Sequence, residues 1–311
     1  MTLFAMLFPG QGSQYTGMLS SFFKKNNSIL TKTFDEASHY IQFNLLKIIQ
    51  EGPNCKINES QYTQPIILTS SVALYRLWRH QNGKNPFFMS GHSLGEYSAL
   101  VCADSINFSD ALKIVHLRGK IMQKNVMNRP SLMQAIIGLD EKKVKKACLM
   151  ASNYETASLA SINSKDQIVI SGDKKAVYKA GLYCKEYGAK SILNLIVNVP
   201  AHCKLMKPIA KKFEKILKII KIHPPKISVI NNVDVKCEKT EKKIKNALIR
   251  QLYSVVRWKE IIEFMQNKKK IIMLEVGPNK ILTNLNKNHK NIVSLNTNTL
   301  NSFMKAFKKI N

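Results

Sequence analysis

The sequence predicts an α/β fold in two parts, a large domain with a parallel sheet and a small α+β domain inserted into it. Two observations predict it. Apolar strand-like segments alternate with segments of helical periodicity along most of the chain, and strands separated by helices build a parallel sheet covered on both faces. Between residues 131 and 197 the order changes to strand, helix, strand, strand, helix, strand, which is the ferredoxin-like pattern.

LFAMLF at 3–8 reads as a strand ending in a Gly-rich turn, and TKTFDEASHYIQ (31–42) and IILTSSVALYRLWRH (66–80) read as helices. FFMSGHSLGEYSALVCA (87–103) reads as an apolar strand, a tight glycine-flanked turn and a helix, and DALKIVHLRGKIMQK (110–124) as a second helix. In the small part, SLMQAIIGL, ASLASIN, QIVISG and AKSILNLIV are the strands, and DEKKVKKACLMA and KKAVYKAGLYCKEYG the helices. The large part resumes near Pro200 with helix KPIAKKFEKILKII, strand ISVINNV, helix EKKIKNALIRQLY and strand IIMLEVG. These readings place the large domain at 1–128 and 199–311 and the small one at 129–198. Neither a repeat nor a low-complexity linker separates them, so the two lobes are expected to be packed together.

Composition bounds the function. With 45% hydrophobic and 22% charged residues among 311, the chain has ordinary globular usage, which argues against disorder, a collagen-like repeat or a disulfide scaffold. MTLFAMLFPG lacks a basic n-region and breaks at Pro9-Gly10, so it reads as strand and turn and not as a signal peptide. No apolar run reaches the roughly 18 residues that cross a bilayer. Six scattered cysteines, at 55, 102, 148, 184, 203 and 237, show no CxxC pair and no zinc-ligand spacing. A cytoplasmic protein with reduced thiols, no metal and no membrane span is expected. The net charge of +28 attracts polyanions in general. Its lysines lie in solvated segments such as KKKI (268–271) and FMKAFKKIN (303–311), without the interleaved aromatics of a strand-binding face. The excess therefore reads as a drift toward Lys, Asn and Ile, and no nucleic-acid partner is expected.

Gly91-His92-Ser93-Leu94-Gly95 is a GxSxG sequence placed after a strand and before a helix. At such a corner a serine hydroxyl is exposed on a sharp turn, and N–H groups at the helix start, beginning with Leu94, can stabilise an oxyanion. Ser93 is the candidate nucleophile. Of the seven histidines, His92 adjoins it and points away along an extended backbone, so it reads as a buttress of the turn. His202 lies in a loop that re-enters the large domain and is the better candidate base. Arg118 falls on the apolar stripe of its helix, where a guanidinium needs a carboxylate partner, supplied either by the protein or by a ligand. Pro9-Gly10-Gln11-Gly12-Ser13-Gln14 lacks the third spaced glycine of a dinucleotide loop, and by itself reads as a turn.

Taken together, FPGQGSQ (8–14), TQPIILTSSVALYRLW (63–78), GHSLGEYSALVCA (91–103), RGK (118–120), VPAHCKLMKP (199–208), NNVDVKC (231–237), RQLYSVVRW (250–258) and EVGP (275–278) resemble the malonyl-CoA:acyl carrier protein transacylases. These are the discrete bacterial type of the acyltransferase family found in fatty-acid and polyketide synthesis. The resemblance spans nearly the whole chain, and with the elbow it implies a large domain that is α/β-hydrolase-like. It implies that Ser93 is acylated, that His202 is its base, and that the amides of Gln11 and Leu94 form the oxyanion hole. It further implies that Gln251 orients His202 through a carbonyl and that Arg118 grips the malonyl carboxylate. The implied partners are malonyl-CoA and an acidic acyl carrier protein. Coenzyme A and phosphopantetheine then enter only as parts of substrates, no cofactor is held permanently, and the enzyme is expected to be a monomer. A serine esterase or thioesterase shares the elbow but passes the acyl group to water. Ser131-Leu132, Lys165-Asp166 and Asn279 depart from the family pattern at turns and lobe edges.

Overall fold

The computed structural model describes residues 3–311 apart from 26, 126–128, 154, 197–198, 268–270, 288 and 290–291. The chain opens with β1 (Phe4–Phe8), buried throughout, and then runs through α1 (Ser20–Phe23), α2 (Ser28–Ile41), α3 (Leu45–Glu51), α4 (Asn54–Ile57) and α5 (Ser60–His80). Next come β2 (Phe88–Gly91), α6 (Gly95–Cys102) and α7 (Phe108–Asn125). The small lobe is β3 (Ser131–Ile137), α8 (Glu141–Ala151), β4 (Ala157–Ser164), β5 (Gln167–Asp173), α9 (Lys174–Glu186) and β6 (Ser191–Asn194). The large lobe resumes with α10 (Lys207–Ile219), β7 (Ser228–Ile230), α11 (Glu241–Gln251), α12 (Trp258–Gln266), β8 (Ile272–Glu275), α13 (Ile281–Asn286), β9 (Val293–Asn296) and α14 (Leu300–Ile310).

The large sheet has the order β7-β2-β1-β8-β9 and every neighbouring pair is parallel. The small sheet has the order β4-β5-β3-β6 and every pair is antiparallel. Both sheets and the β-α-β-β-α-β order agree with the sequence reading. The strand expected at 189–197 is shorter, ending at Asn194, and its last expected residue, Val197, lies outside the described residues. So do Lys268, Lys269 and Lys270 of the KKKI segment, and residues 128 and 198 at the expected domain boundaries.

The helix expected from Ile66 begins six residues earlier, at Ser60, and contains Pro65. A proline in a helix leaves the carbonyl four residues before it without its N–H partner. Here that carbonyl belongs to Gln61, and the His116 Nδ1 of α7 donates to it at 3.0 Å. A side chain from a neighbouring helix thus replaces the missing backbone bond, which sequence periodicity could not show.

The lobes are packed. Period-two alternation in β3 sends Met133 and Ala135 into the large-lobe core, whereas Ile136 faces the small lobe's own helices among Val144, Ala147 and Val177. Edge strand β4 also takes on a backbone partner from the large lobe, with Val256 N–H donating to Ala160 at 2.9 Å and Ile162 N–H to Val256 at 2.9 Å. The unusual turn Lys165-Asp166 is the two-residue connection of the β4–β5 hairpin, and Asn279 donates to the Ser13 carbonyl at 3.3 Å. Among the described residues no helix is long and apolar enough to cross a membrane.

The crossing of α6 over β1 and β2 is unusually close. A Cβ at Gly91 would lie 1.8 Å from the Gly95 carbonyl carbon, and one at Gly95 would lie 2.0 Å from the Phe8 oxygen. Backbone cannot yield as a flexible side chain can. Gly95→Ala is therefore expected to lower stability by about 3 kcal/mol, at the upper end of overpacking effects, and urea denaturation measures it.

Candidate active site

Ser93 occupies the corner between the end of β2 and the start of α6, with a left-handed φ of 53°. For a residue with a side chain that conformation is strained and persists only where its surroundings impose it. The surroundings are hydrogen bonds from distant segments. Its N–H donates to the Asn232 Oδ1 at 2.7 Å, and its carbonyl accepts from the Gln251 Nε2 at 3.0 Å. Asn232, buried just beyond β7, also donates from Nδ2 to the Gly91 carbonyl at 2.7 Å. One side chain therefore spans the turn.

The Ser93 Oγ lies 2.7 Å from the His202 Nε2. His202 is buried and also left-handed, at φ 63°, and its N–H donates to the Leu252 carbonyl at 2.9 Å. Its Nδ1 lies 2.7 Å from the main-chain oxygen of Gln251. A carbonyl only accepts, so Nδ1 carries the proton and Nε2 presents its lone pair to the serine hydroxyl. Burial, followed by the Arg118 charge, drives the imidazole pKa down from 6.5 to about 3, against the pull of the Gln251 carbonyl. The ring is neutral at physiological pH and able to take a proton.

Arg118 is fully buried on α7. Its Nη1 donates to the Gln64 Oε1 at 3.0 Å and its Nη2 to the Gln251 Oε1 at 3.3 Å, while Nε has no hydrogen-bond partner. The guanidinium lies 5.6 Å from the centre of the Tyr97 ring. Among the described residues no carboxylate makes an ion pair with it. Burial lowers its pKa, with Tyr97 and Glu96 pulling it back. A guanidinium that is buried and hydrogen-bonded to two neutral amide oxygens keeps its full charge and its planar fork of donors, the geometry that suits a carboxylate.

The remaining expected residues fall around this pair. Leu94 is the buried residue that leads into α6. Gln11 sits in the loop after β1, its Nε2 donating to the Ser60 Oγ at 3.0 Å. That loop lies against the elbow: a Cβ on Gly10 would come within 2.5 Å of the His92 oxygen. The His92 side chain turns to the small lobe. Its Nε2 reaches the Ser161 Oγ at 3.1 Å and the Asn163 Oδ1 at 2.9 Å on β4.

Three polar residues of the site escaped sequence reasoning: Gln64, Glu96 and Asn232. The Glu96 Oε2 accepts from the Asn232 N–H at 3.0 Å and the Gln251 Nε2 at 2.8 Å, and burial raises its pKa to about 7. Ser93-Leu94-Gly95-Glu96 has the spacing of a helix capping box, yet the carboxylate turns to other segments. The usable signal was a charged residue in the apolar helix GEYSALVC.

The fold and this site define a protein with a serine at a strand-to-helix corner in contact with a histidine, beside a buried arginine. The acyl transferase domain family matches residues 5–300. The malonyl CoA-acyl carrier protein transacylase of Buchnera aphidicola (subspecies Schizaphis graminum) is 59% identical over 310 residues, covering 100% of both chains. An acyl carrier protein S-malonyltransferase crystal structure from Vibrio cholerae superposes with a TM-score of 0.94 at 44% identity, covering 98% of this chain and 100% of that one. A second structure, a type II PKS acyl-carrier protein in complex with its malonyl-transacylase, gives a TM-score of 0.96 at 42% identity, covering 99% of this chain and 100% of that one. The chain belongs to the acyl transferase family.

The depressed pKa of His202 fixes the sign of a titration. Its ring stays neutral as pH falls through 6.5, and the folding stability tied to that neutral form is lost as pH drops from there toward about 3. NMR of the His202 ring should show the neutral form from pH 8 to about pH 5; an inflection near 6.5 would contradict the burial argument.

Proposed function

We propose that the chain transfers malonyl groups from malonyl-CoA to the phosphopantetheine thiol of acyl carrier protein, in fatty-acid biosynthesis, through a malonyl ester of Ser93. The observation that carries this reading is a buried Arg118 whose protein hydrogen-bond partners are neutral, beside a serine 2.7 Å from a histidine. The names of the Buchnera and Vibrio relatives agree with it.

His202 Nε2 takes the Ser93 proton as Oγ attacks the thioester carbonyl. The tetrahedral oxyanion is held by the N–H groups of Leu94 and Gln11. His202, now an imidazolium held by the Gln251 carbonyl, returns the proton to the departing coenzyme A sulfur as the carbon–sulfur bond breaks. In the second half-reaction the carrier thiol gives its proton to His202 and attacks the ester, and Ser93 leaves with that proton. Both halves use the same groups in reverse order. Arg118 holds the malonyl carboxylate in each, and no step calls on a permanently bound cofactor.

The large lobe in this reading is 1–128 with 199–311 and the insert is 129–198; the separate antiparallel sheet within 131–194 supports the division. The +28 charge favours an acidic carrier, with association that weakens as salt rises. We place the enzyme in the cytoplasm as a monomer.

Exposure to malonyl-CoA should add one malonyl group to the intact mass, mapped to the Ser93 peptide and lost in Ser93→Ala; release of free malonate in the presence of holo carrier would instead indicate a hydrolase. Arg118→Ala should lower malonyl transfer roughly 100-fold, the worth of about 3 kcal/mol of charge-assisted hydrogen bonding, while acetyl transfer persists. Equal loss of both would refute the carboxylate role.

A further inference from the structure

The side chain of Gln251 connects parts of the site that the mechanism treats separately. Its Nε2 faces three acceptors, the Glu96 Oε2 at 2.8 Å, the Ser93 carbonyl at 3.0 Å and the Asn232 Oδ1 at 3.5 Å, and its Oε1 faces the Arg118 Nη2 at 3.3 Å. An amide has one donor end and one acceptor end. Turned over, it would set an NH2 against the guanidinium and an oxygen against three other oxygens, in a place where Gln251 is wholly buried.

Something must hold the amide in its productive orientation. The Ser93 carbonyl is a weak choice, because it also accepts from the Glu96 N–H at 3.1 Å. The Glu96 Oε2 takes the shortest of the three bonds, 2.8 Å against 3.0 Å and 3.5 Å, and it is itself fixed by the Asn232 N–H at 3.0 Å. Arg118 in turn depends on the amide, since Gln251 holds its Nη2 as Gln64 holds its Nη1. We propose that Glu96 is a specificity-setting positioning residue, which aims the Arg118 guanidinium at the acyl carboxylate through the side-chain amide of Gln251. This rests on the transacylase reading above. The carboxylate touches neither substrate nor His202 and acts one amide away.

A residue that only supports the elbow would slow acylation by every acyl-CoA alike. One that aims Arg118 changes the preference among them. The readout is therefore the ratio of Ser93 acylation rates with malonyl-CoA and with acetyl-CoA, measured in single turnovers on the full chain. Glu96→Ala should reduce that malonyl-to-acetyl ratio by about tenfold or more. Glu96→Gln, which keeps an acceptor oxygen for Gln251, should hold the ratio within about threefold of the parent. Gln251→Met retains the main-chain carbonyl that holds His202 and removes the amide. It should lower the ratio as Glu96→Ala does, and it supplies the reading if Glu96→Ala does not fold. A parental ratio in folded Glu96→Ala or in Gln251→Met would overturn the proposal, as would a Glu96→Gln ratio as low as that of Glu96→Ala. If the parent itself forms no malonyl ester, the transacylase reading fails first; if the parent forms it and the variants keep its ratio, this inference alone fails.

Discussion

The backbone of Ser93 is held in a left-handed conformation that costs about 1–2 kcal/mol for a residue with a side chain, and hydrogen bonds from two remote segments hold it there. Asn232 after β7 takes its N–H, Gln251 at the end of α11 takes its carbonyl, and Glu96 on α6 ties those two together. Each buried hydrogen bond contributes about 1 kcal/mol net, so the group together offsets the strain. The corner is a property of the assembled sheet and not of the GxSxG segment alone. β7 must pair with β2 to bring Asn232 to the turn, and α11 must end where it does to present Gln251.

That dependence explains what could be read from the sequence. Strands, helices and the elbow follow from local rules: apolar alternation in Ser131–Ile137, helical periodicity in Phe108–Asn125, glycines at 91 and 95. The Ser93–His202 contact joins residues 109 apart; reading the chain proposed the partner, and only tertiary structure could bring the two together. Glu96, Asn232 and Gln64 act through neighbours that no spacing rule connects to them. Arg118 lies between these cases. Its position on an apolar helical stripe announced a buried cation needing a partner, and the choice between a protein acid and a ligand required the surrounding side chains to be seen.

The early start of α5 has the same origin. Pro65 argues locally for a break, and periodicity places the helix after it. The His116 imidazole, arriving from α7, meets the carbonyl that the proline leaves without a partner. The helix then continues back to Ser60, whose hydroxyl holds the Gln11 side chain. A tertiary hydrogen bond thus extends a helix far enough to support the loop after β1.

The charges of the site also constrain one another. Arg118 is buried and its field helps to keep His202 neutral. A carboxylate placed against the His202 Nδ1, as in the usual triad, would raise the imidazole pKa and compete for the nearby guanidinium. The main-chain oxygen of Gln251 orients the same tautomer without a full charge, leaving the guanidinium hydrogen-bonded to amide oxygens and in no ion pair among the described residues. The acid that the site does contain, Glu96, is separated from Arg118 by the width of one amide. Its own pKa, raised to about 7 by burial, shows how little the surroundings favour a second full charge there. A neutral third member beside the histidine is then what a buried arginine requires if that arginine is to remain free for an anionic acyl group.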